Sequence, residues 1–236
     1  MQKFIMLLML TYLPATMFGQ DKIEGIGKFK LKKTTTAYLD TLVKEKDFDR
    51  ETIKNYDDYF KLMYKKDKLA EMFPDTVTTY NSPPYSHYCK DTRVFYIPKM
   101  TISEIELKDT YLTFYKDTLV DIHTDYTSEI VEAFELKYGK SEIDKKEKEV
   151  KCTLKLTGGT ITYTETMFYQ YWENGNIKCT AAIGDYRDSK CEKQSISYIS
   201  ISIEKVSEKI RECDDKERDR LKNRQDKEKK KKLDDF

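Results

Sequence analysis

The sequence predicts an α+β domain: a largely antiparallel sheet with two or three helices on one face and a charged helical tail behind it. Three observations predict this. Between Arg93 and Ile203 apolar residues mostly alternate with polar ones, the period of a half-buried strand. Asn174-Gly175, set between two such runs, is a strong hairpin signal. Ser128–Tyr138 carries apolar residues at helical spacing, with a capping residue before it and a glycine after it.

Ile23–Leu31, with Gly25 and Gly27, reads as an extended opening strand with a bend. Thr34-Thr35-Thr36 caps a helix whose apolar positions include Leu39, Leu42 and Val43. A second helix is expected over Arg50–Tyr64, where Ile53, Tyr56, Phe60 and Met63 recur at steps of three and four. Pro74 interrupts regular structure after it, and Tyr80–Cys89, with two prolines among tyrosines, is a loop. Arg93–Ile97 and Ile102–Leu107 read as strands, and Tyr111–Tyr115 and Leu119–Thr124 as a hairpin through Lys116-Asp117. In the helix Ser128–Tyr138, Thr127 is the N-cap, Tyr126 and Val131 are spaced as a hydrophobic staple, and Gly139 suits a left-handed terminus. Its buried face is Ile130, Val131, Phe134 and Tyr138.

A charged stretch, Ser141–Glu149, precedes a strand in which Val150, Cys152, Leu154 and Leu156 alternate with Lys151, Thr153 and Lys155. Gly158-Gly159 marks a turn, and Met167–Trp172 and Ile177–Ile183 flank Asn174-Gly175. In the last strand, Ser195–Ile203, the apolar phase shifts between Tyr198 and Ile199, so a bulge or burial of both faces is expected. Residues 20–203 make the α+β domain, with a break near 74–92 if there are two units. In the tail, 204–236, Val206, Ile210 and Cys213 begin a heptad seam that next meets Glu217, Arg220 and Arg224. That predicts one or two packed turns, then a solvated or fraying helix.

Met1–Gly19 reads as a secretory signal peptide: Lys3, the apolar run Phe4–Leu13, Pro14, then a cleavage region that leaves Gln20 first. The apolar run is shorter than the roughly 18 residues of a membrane-spanning helix. The expected location is therefore periplasmic or extracellular. Losing Lys3 with the leader turns the formal charge of +1 into neutrality, which argues against a chain whose whole surface binds nucleic acid. Eighteen tyrosines and 11 phenylalanines argue against disorder despite 36% charged residues. Export permits disulfides, and five cysteines leave one over. Cys179–Cys191, flanking a turn, is the favoured pair, while Cys152 and Cys179 also read as buried thiols. No CxxC occurs, so neither a zinc ribbon nor a thioredoxin-type centre is expected.

Catalytic and cofactor motifs are missing. Gly25-Ile26-Gly27-Lys28 lacks the Lys-Ser/Thr of a phosphate loop, and there is no GxSxG or HExxH. Asp121, His123 and Asp125 alternate along a strand and share one face, a donor set a divalent metal can use. Because Val120 and Ile122 take the core side, that face is expected to be the solvent face. His87, two residues before Cys89, invites a metal or Cys/His reading, but the better account is a loop tied down by Cys89. Tyr80, Tyr85, His87 and Tyr88 make that loop a candidate partner surface, since tyrosines give large contact area at low entropy cost. Tyr169, Tyr171 and Trp172 form an aromatic strand that suits cross-strand packing better than base or sugar stacking. Lys227–Lys232 reads as a solubilising face, with acidic surfaces or nucleic acid as an alternative contact.

The stretches GIGKFKLKKTT, YLTFYKDTLVDI and LKYGK, with the end Leu233-Asp234-Asp235-Phe236, together resemble uncharacterised exported proteins of Bacteroidetes. That resemblance implies export and carries no site residues. A fainter likeness is to β-lactamase-inhibitor-like and outer-membrane assembly lipoprotein modules, which set a helix pair against an antiparallel sheet. The chain departs from them at Lys32-Lys33, where that pattern favours glycine, and in having no lipid-attachment cysteine. The expected function is a non-catalytic exported binding module without a cofactor, its partner an extracytoplasmic protein or polysaccharide. The alternatives are an exported hydrolase using Asp121, His123 and Asp125 with a metal, and a surface or nucleic-acid contact through the Lys-rich tail.

Overall fold

The computed structural model describes residues 22–77, 81–153 and 158–234. The leader expected at Met1–Gly19 lies outside them, as do Tyr80, Leu154 and Leu156. The chain runs β1 (Gly25–Ile26), β2 (Phe29–Lys30), α1 (Thr36–Lys46), β3 (Asp49–Ile53), α2 (Tyr56–Leu62), β4 (Lys68–Met72), β5 (Thr92–Ile102) and β6 (Ile105–Tyr115). It continues through β7 (Thr118–Thr124), α3 (Ser128–Tyr138), β8 (Glu142–Thr153), β9 (Thr160–Asn174), β10 (Ile177–Arg187), β11 (Lys193–Ile203) and α4 (Glu204–Asp234). Nine strands form one sheet in the order β3-β4-β5-β6-β7-β11-β10-β9-β8, antiparallel everywhere except between β3 and β4. The 74–91 segment joins two neighbouring strands of this sheet, β4 and β5.

Alternation along the strands separates two cores. Phe95, Ile97, Leu112, Phe114 and Ile122 face Leu39 and Leu42 of α1 and Ile130 and Phe134 of α3. Val94, Tyr96 and Tyr111 face Tyr59 and Leu62 of α2. Thus α1 and α3 share a face, as expected, and α2 lies on the other. The helix predicted from Arg50 begins instead at Tyr56. Asn55 caps it by accepting from the Asp58 N–H (2.8 Å), and β-branched Thr52 and Ile53 extend as β3 beside β4. The aromatic face read at Tyr56 and Phe60 is consequently exposed, 43% and 46%.

Helix α3 has its predicted bounds, and the Thr127 hydroxyl accepts from the Ile130 N–H; Gly139 ends it at φ 86°, ψ 178°, a positive-φ conformation that differs from the left-handed one expected. The opening strand is a two-residue hairpin, turned at Gly27 (φ 53°). The charged stretch before Val150 belongs to β8, paired with β9 along its whole length. It is an edge strand exposed on both faces, so burial imposes no alternation there. Asn174 pairs with Ile177, which places Gly175-Asn176 at the β9–β10 turn with Gly175 at φ 63°. Positive φ at the first central position alone is the type II′ arrangement, one residue along from the expected Asn-Gly turn. β11 pairs with β10 without a bulge; Ile199, Ile201 and Ile203 face the main core and Tyr198 the opposite side.

The disulfides are Cys89–Cys213 and Cys152–Cys191, and Cys179 is a buried free thiol. The expected Cys179–Cys191 bond does not form, because β10 continues to Arg187. Eight residues of strand, about 26 Å, separate Cys179 from that end. Cys179 pairs in register with Trp172 and Ile201 inside the core, while the 188–192 turn reaches across β9 to the edge strand. In α4, Val206 and Ile210 pack on the main core and Cys213 bonds to the 81–91 loop; the rest is continuous helix, mostly exposed. Among the described residues no helix is long and apolar enough to cross a membrane.

Candidate functional site

The side of the sheet opposite α1 and α3 carries most of the unusual chemistry. Its left part is an aromatic cluster. Tyr59 packs on Tyr96 (5.3 Å between centroids), Tyr96 on Tyr111 (4.9 Å), and Tyr111 on Tyr85 (4.3 Å). The Tyr59 and Tyr111 hydroxyls share a hydrogen bond of 2.7 Å, and the Tyr96 hydroxyl donates to the Asp109 carboxylate. Burial raises the pKa of all four tyrosines, that of Tyr85 to about 12, so each keeps its proton at neutral pH.

Asp121, His123 and Asp125 do share this face, but it is not open solvent. Tyr85, from the 81–91 loop, lies against His123 (4.5 Å) and shares a 2.8 Å hydrogen bond with its Nε2, while Tyr198 stacks on the imidazole (5.0 Å, 24°). Enclosure between two rings lowers the His123 pKa to about 4 and keeps it neutral. Burial lifts the Asp121 carboxyl to about 7, against a hydrogen bond from the Ser200 hydroxyl (3.3 Å) and the nearby His87. Burial and the Asp109 carboxylate raise Asp125 to about 6. The reason this cover was hidden in the sequence is distance: the loop that supplies it lies some 40 residues earlier.

Asp214 of α4 anchors that loop, a role sequence reading missed. It is 7% exposed and accepts from the Tyr88 and Cys89 backbone N–H groups, the latter at 3.1 Å. His87 Nδ1 lies 3.5 Å from its other oxygen. Burial alone would raise the Asp214 pKa, but His87 and the two N–H groups hold it below its ordinary value. The available signal was an acid one residue after a seam cysteine, on the buried side of a helix. Cys89 is consumed by its disulfide, which removes the Cys/His pairing with His87. Tyr88 is tied down by Ser82 (2.8 Å) and by the Asp75 carbonyl (3.2 Å). Of the loop tyrosines expected to meet a partner, Tyr85 is 48% exposed and Tyr80 lies outside the described residues.

Beyond Tyr198 the same face opens. Tyr198, Ala182 and Tyr169 stand opposite one another across three strands, with Ser200, Thr180 and Tyr171 in the next row. The Tyr169 and Tyr171 rings are parallel, 6.1 Å apart, with Lys146 over the first (5.0 Å) and Lys178 over the second (5.2 Å). Only small side chains, Ala182, Thr180 and Ser200, stand between the tyrosines. Trp172 points the other way, into the main core, and donates its indole N–H to the Gly139 carbonyl (2.8 Å).

The backbones of Asp121 and of Asp125, one residue beyond β7, stand about 13 Å apart. Among the described residues no group of three His, Cys, Asp or Glu is placed to hold a metal ion. The Lys-rich end of α4 lies elsewhere: Lys227, Arg224 and Arg220 line a cavity of about 930 Å³ against Pro74, Tyr88 and Lys90. No family model matches the chain, and neither a curated protein nor a solved structure does.

Proposed function

We propose that the chain is an exported binding module that takes an extracytoplasmic partner, a polysaccharide or protein, on the open tyrosine-lined face. The observation that carries this reading is the tyrosine face itself, with Tyr198, Tyr169 and Tyr171 grouped around Ala182, Thr180 and Ser200 and with Lys146 and Lys178 over the rings. Flat rings held rigid by a sheet offer stacking area at little entropy cost, and the lysines add hydrogen-bond donors at the rim. Two disulfides suit an oxidising compartment and support export.

A hydrolase reading rests on Asp121 and Asp125, whose raised pKa values resemble those of catalytic acids. It is weaker, because Tyr85 and Tyr198 pack on His123, which lies between the two acids along the chain. Affinity electrophoresis in gels containing soluble polysaccharides, with capture from cell-envelope fractions, tests both. Retardation or capture lost in Tyr169→Ala/Tyr171→Ala/Tyr198→Ala supports binding. Absence of any ligand that the triple variant loses ends it. Release of reducing ends that stops in Asp121→Asn replaces it with the hydrolase.

A further inference from the structure

Away from the tyrosine face, the end of α1, the β1–β2 hairpin and the end of β5 enclose a cavity of about 700 Å³, within the usual size of a small-molecule site. Phe29, Leu42, Phe48 and Met100 line its depth, each less than one-tenth exposed. Lys28, Lys46, Lys66 and Lys99 stand around it against Glu45 and Asp67. Lys28 is answered by Glu45 (3.3 Å) and Lys99 by Glu106. Lys46 and Lys66 are exposed, and neither forms an ion pair with a described residue.

A second cavity, about 220 Å³, shares Gly27, Ile102 and Ser103 with the first and continues between Ile26, Leu107 and Phe134. The partition between them is thin. At Gly27 a Cβ would stand 2.5 Å from Ile102 Cγ2, so a glycine turn and one flexible side chain separate the two hollows. A rotamer change at Ile102 would join them into an elongated apolar slot.

We infer that this slot binds an amphipathic anion, a long-chain fatty acid, with the acyl chain along Phe29, Leu42, Phe48 and Met100 and the carboxylate at Lys46 and Lys66. The chemistry narrows the occupant from both ends. A small anion would satisfy the two ammonium groups but leave the apolar depth empty. A neutral hydrocarbon would fill the depth and leave the cations unanswered. A sugar would find partners at the charged rim, but hydroxyls carried into the depth would meet only Phe29, Leu42, Phe48 and Met100, at a desolvation cost.

The test is calorimetric titration of the delipidated mature chain, Gln20–Phe236, with oleate below its micelle concentration, with oleyl alcohol and acetate as companion probes. One saturable site is expected for oleate, at least tenfold weaker for the alcohol, and no heat for acetate. Lys46→Gln/Lys66→Gln, which changes only exposed side chains, should weaken oleate about tenfold and leave the alcohol unaltered. Non-saturable uptake, equal affinity for alcohol and acid, or unchanged oleate binding in the lysine variant overturns the assignment. So does oleate binding lost instead in the Tyr169→Ala/Tyr171→Ala/Tyr198→Ala variant, which would place the ligand on the open face.

Discussion

The two halves of the sheet solve different problems. From β4 to β7 both faces are covered: α1 and α3 bury one, α2 and the 81–91 loop the other, and strand residues such as Tyr96, Leu112 and Phe114 are sealed from solvent. Toward β9 and β8 the sheet projects as a ribbon. In β8 only Cys152 is buried, and β9 keeps Trp172 as its one fully packed ring. The covered half gains its stability from apolar area removed from water. The open half relies on ladder hydrogen bonds, lysine–aromatic pairs and a disulfide, which leaves its outward side chains free to be chosen for contact rather than packing.

Truncating one phenylalanine in each half gives the largest contrast. Phe114 is fully buried and meets Phe95 edge to face at 5.6 Å. Phe114→Ala should cost about 3–5 kcal/mol in urea unfolding. Phe168 is 42% exposed under Lys145, and Phe168→Ala should cost about 1 kcal/mol or less. Equal losses would mean that the ribbon is packed against something and is not a free surface.

The disulfides sharpen the same contrast. Cys89–Cys213 closes a separation of 124 residues and holds the loop over Asp121 and His123; Cys152–Cys191 closes 39 and clips the ribbon's edge. By loop-closure entropy Cys89→Ser/Cys213→Ser should lower global stability by about 5 kcal/mol, and Cys152→Ser/Cys191→Ser by about 4 kcal/mol. Hydrogen exchange separates them further: the second variant should expose β8 amides while leaving β5 and β6 protected. Loss of protection throughout the sheet in both variants would erase the distinction between the halves.

The same division governs how much of the fold is legible in the sequence. Where burial selects one face, as along α3 or at Ile199, Ile201 and Ile203, the period is visible and the element can be read. Where neither face is buried, as in β8, charge density conceals a long strand. The start of α2 is hard to place because its apolar repeat continues into a strand, and only the Asn55 cap marks the boundary. Asp121, His123 and Asp125 are legible as a constellation, yet their enclosure is not, because Tyr85 and Asp214 reach them through tertiary contacts that leave no local pattern. Export, read from the leader, is supported by the two disulfides, although their pairing cannot be deduced from spacing.

The smallest expected effect is the most diagnostic, since it separates the halves by pH. Burial raises Asp121 to about 7, so between about pH 4 and 7 the folded chain holds a proton that the unfolded chain has released. Stability from this group falls as pH rises through that window. Asp125, at about 6, has the same sign. His123, lowered to about 4, has the opposite sign: the unfolded chain takes up a proton near 6.5 that the folded chain refuses, so stability rises with pH between about 4 and 6.5. His123 offsets part of the fall that Asp121 and Asp125 produce together, and single variants separate the contributions. Asp121→Asn should gain about 1–2 kcal/mol over the parent chain at pH 8, with a Tm nearly level from about pH 4 to 6 because Asp125 and His123 then oppose each other. His123→Gln should leave a Tm that falls from pH 4 to 7. In the open half, Asp185 is held below its ordinary value by the Ser195 hydroxyl and Lys193, so its contribution disappears only as pH drops below about 4. Ser195→Ala should therefore lower the curve slightly above about pH 4 and leave it unchanged in more acid solution. Melting curves for Asp121→Asn and His123→Gln that track the parent at every pH would mean that Tyr85 does not seal this face, and the covered half would end at β6.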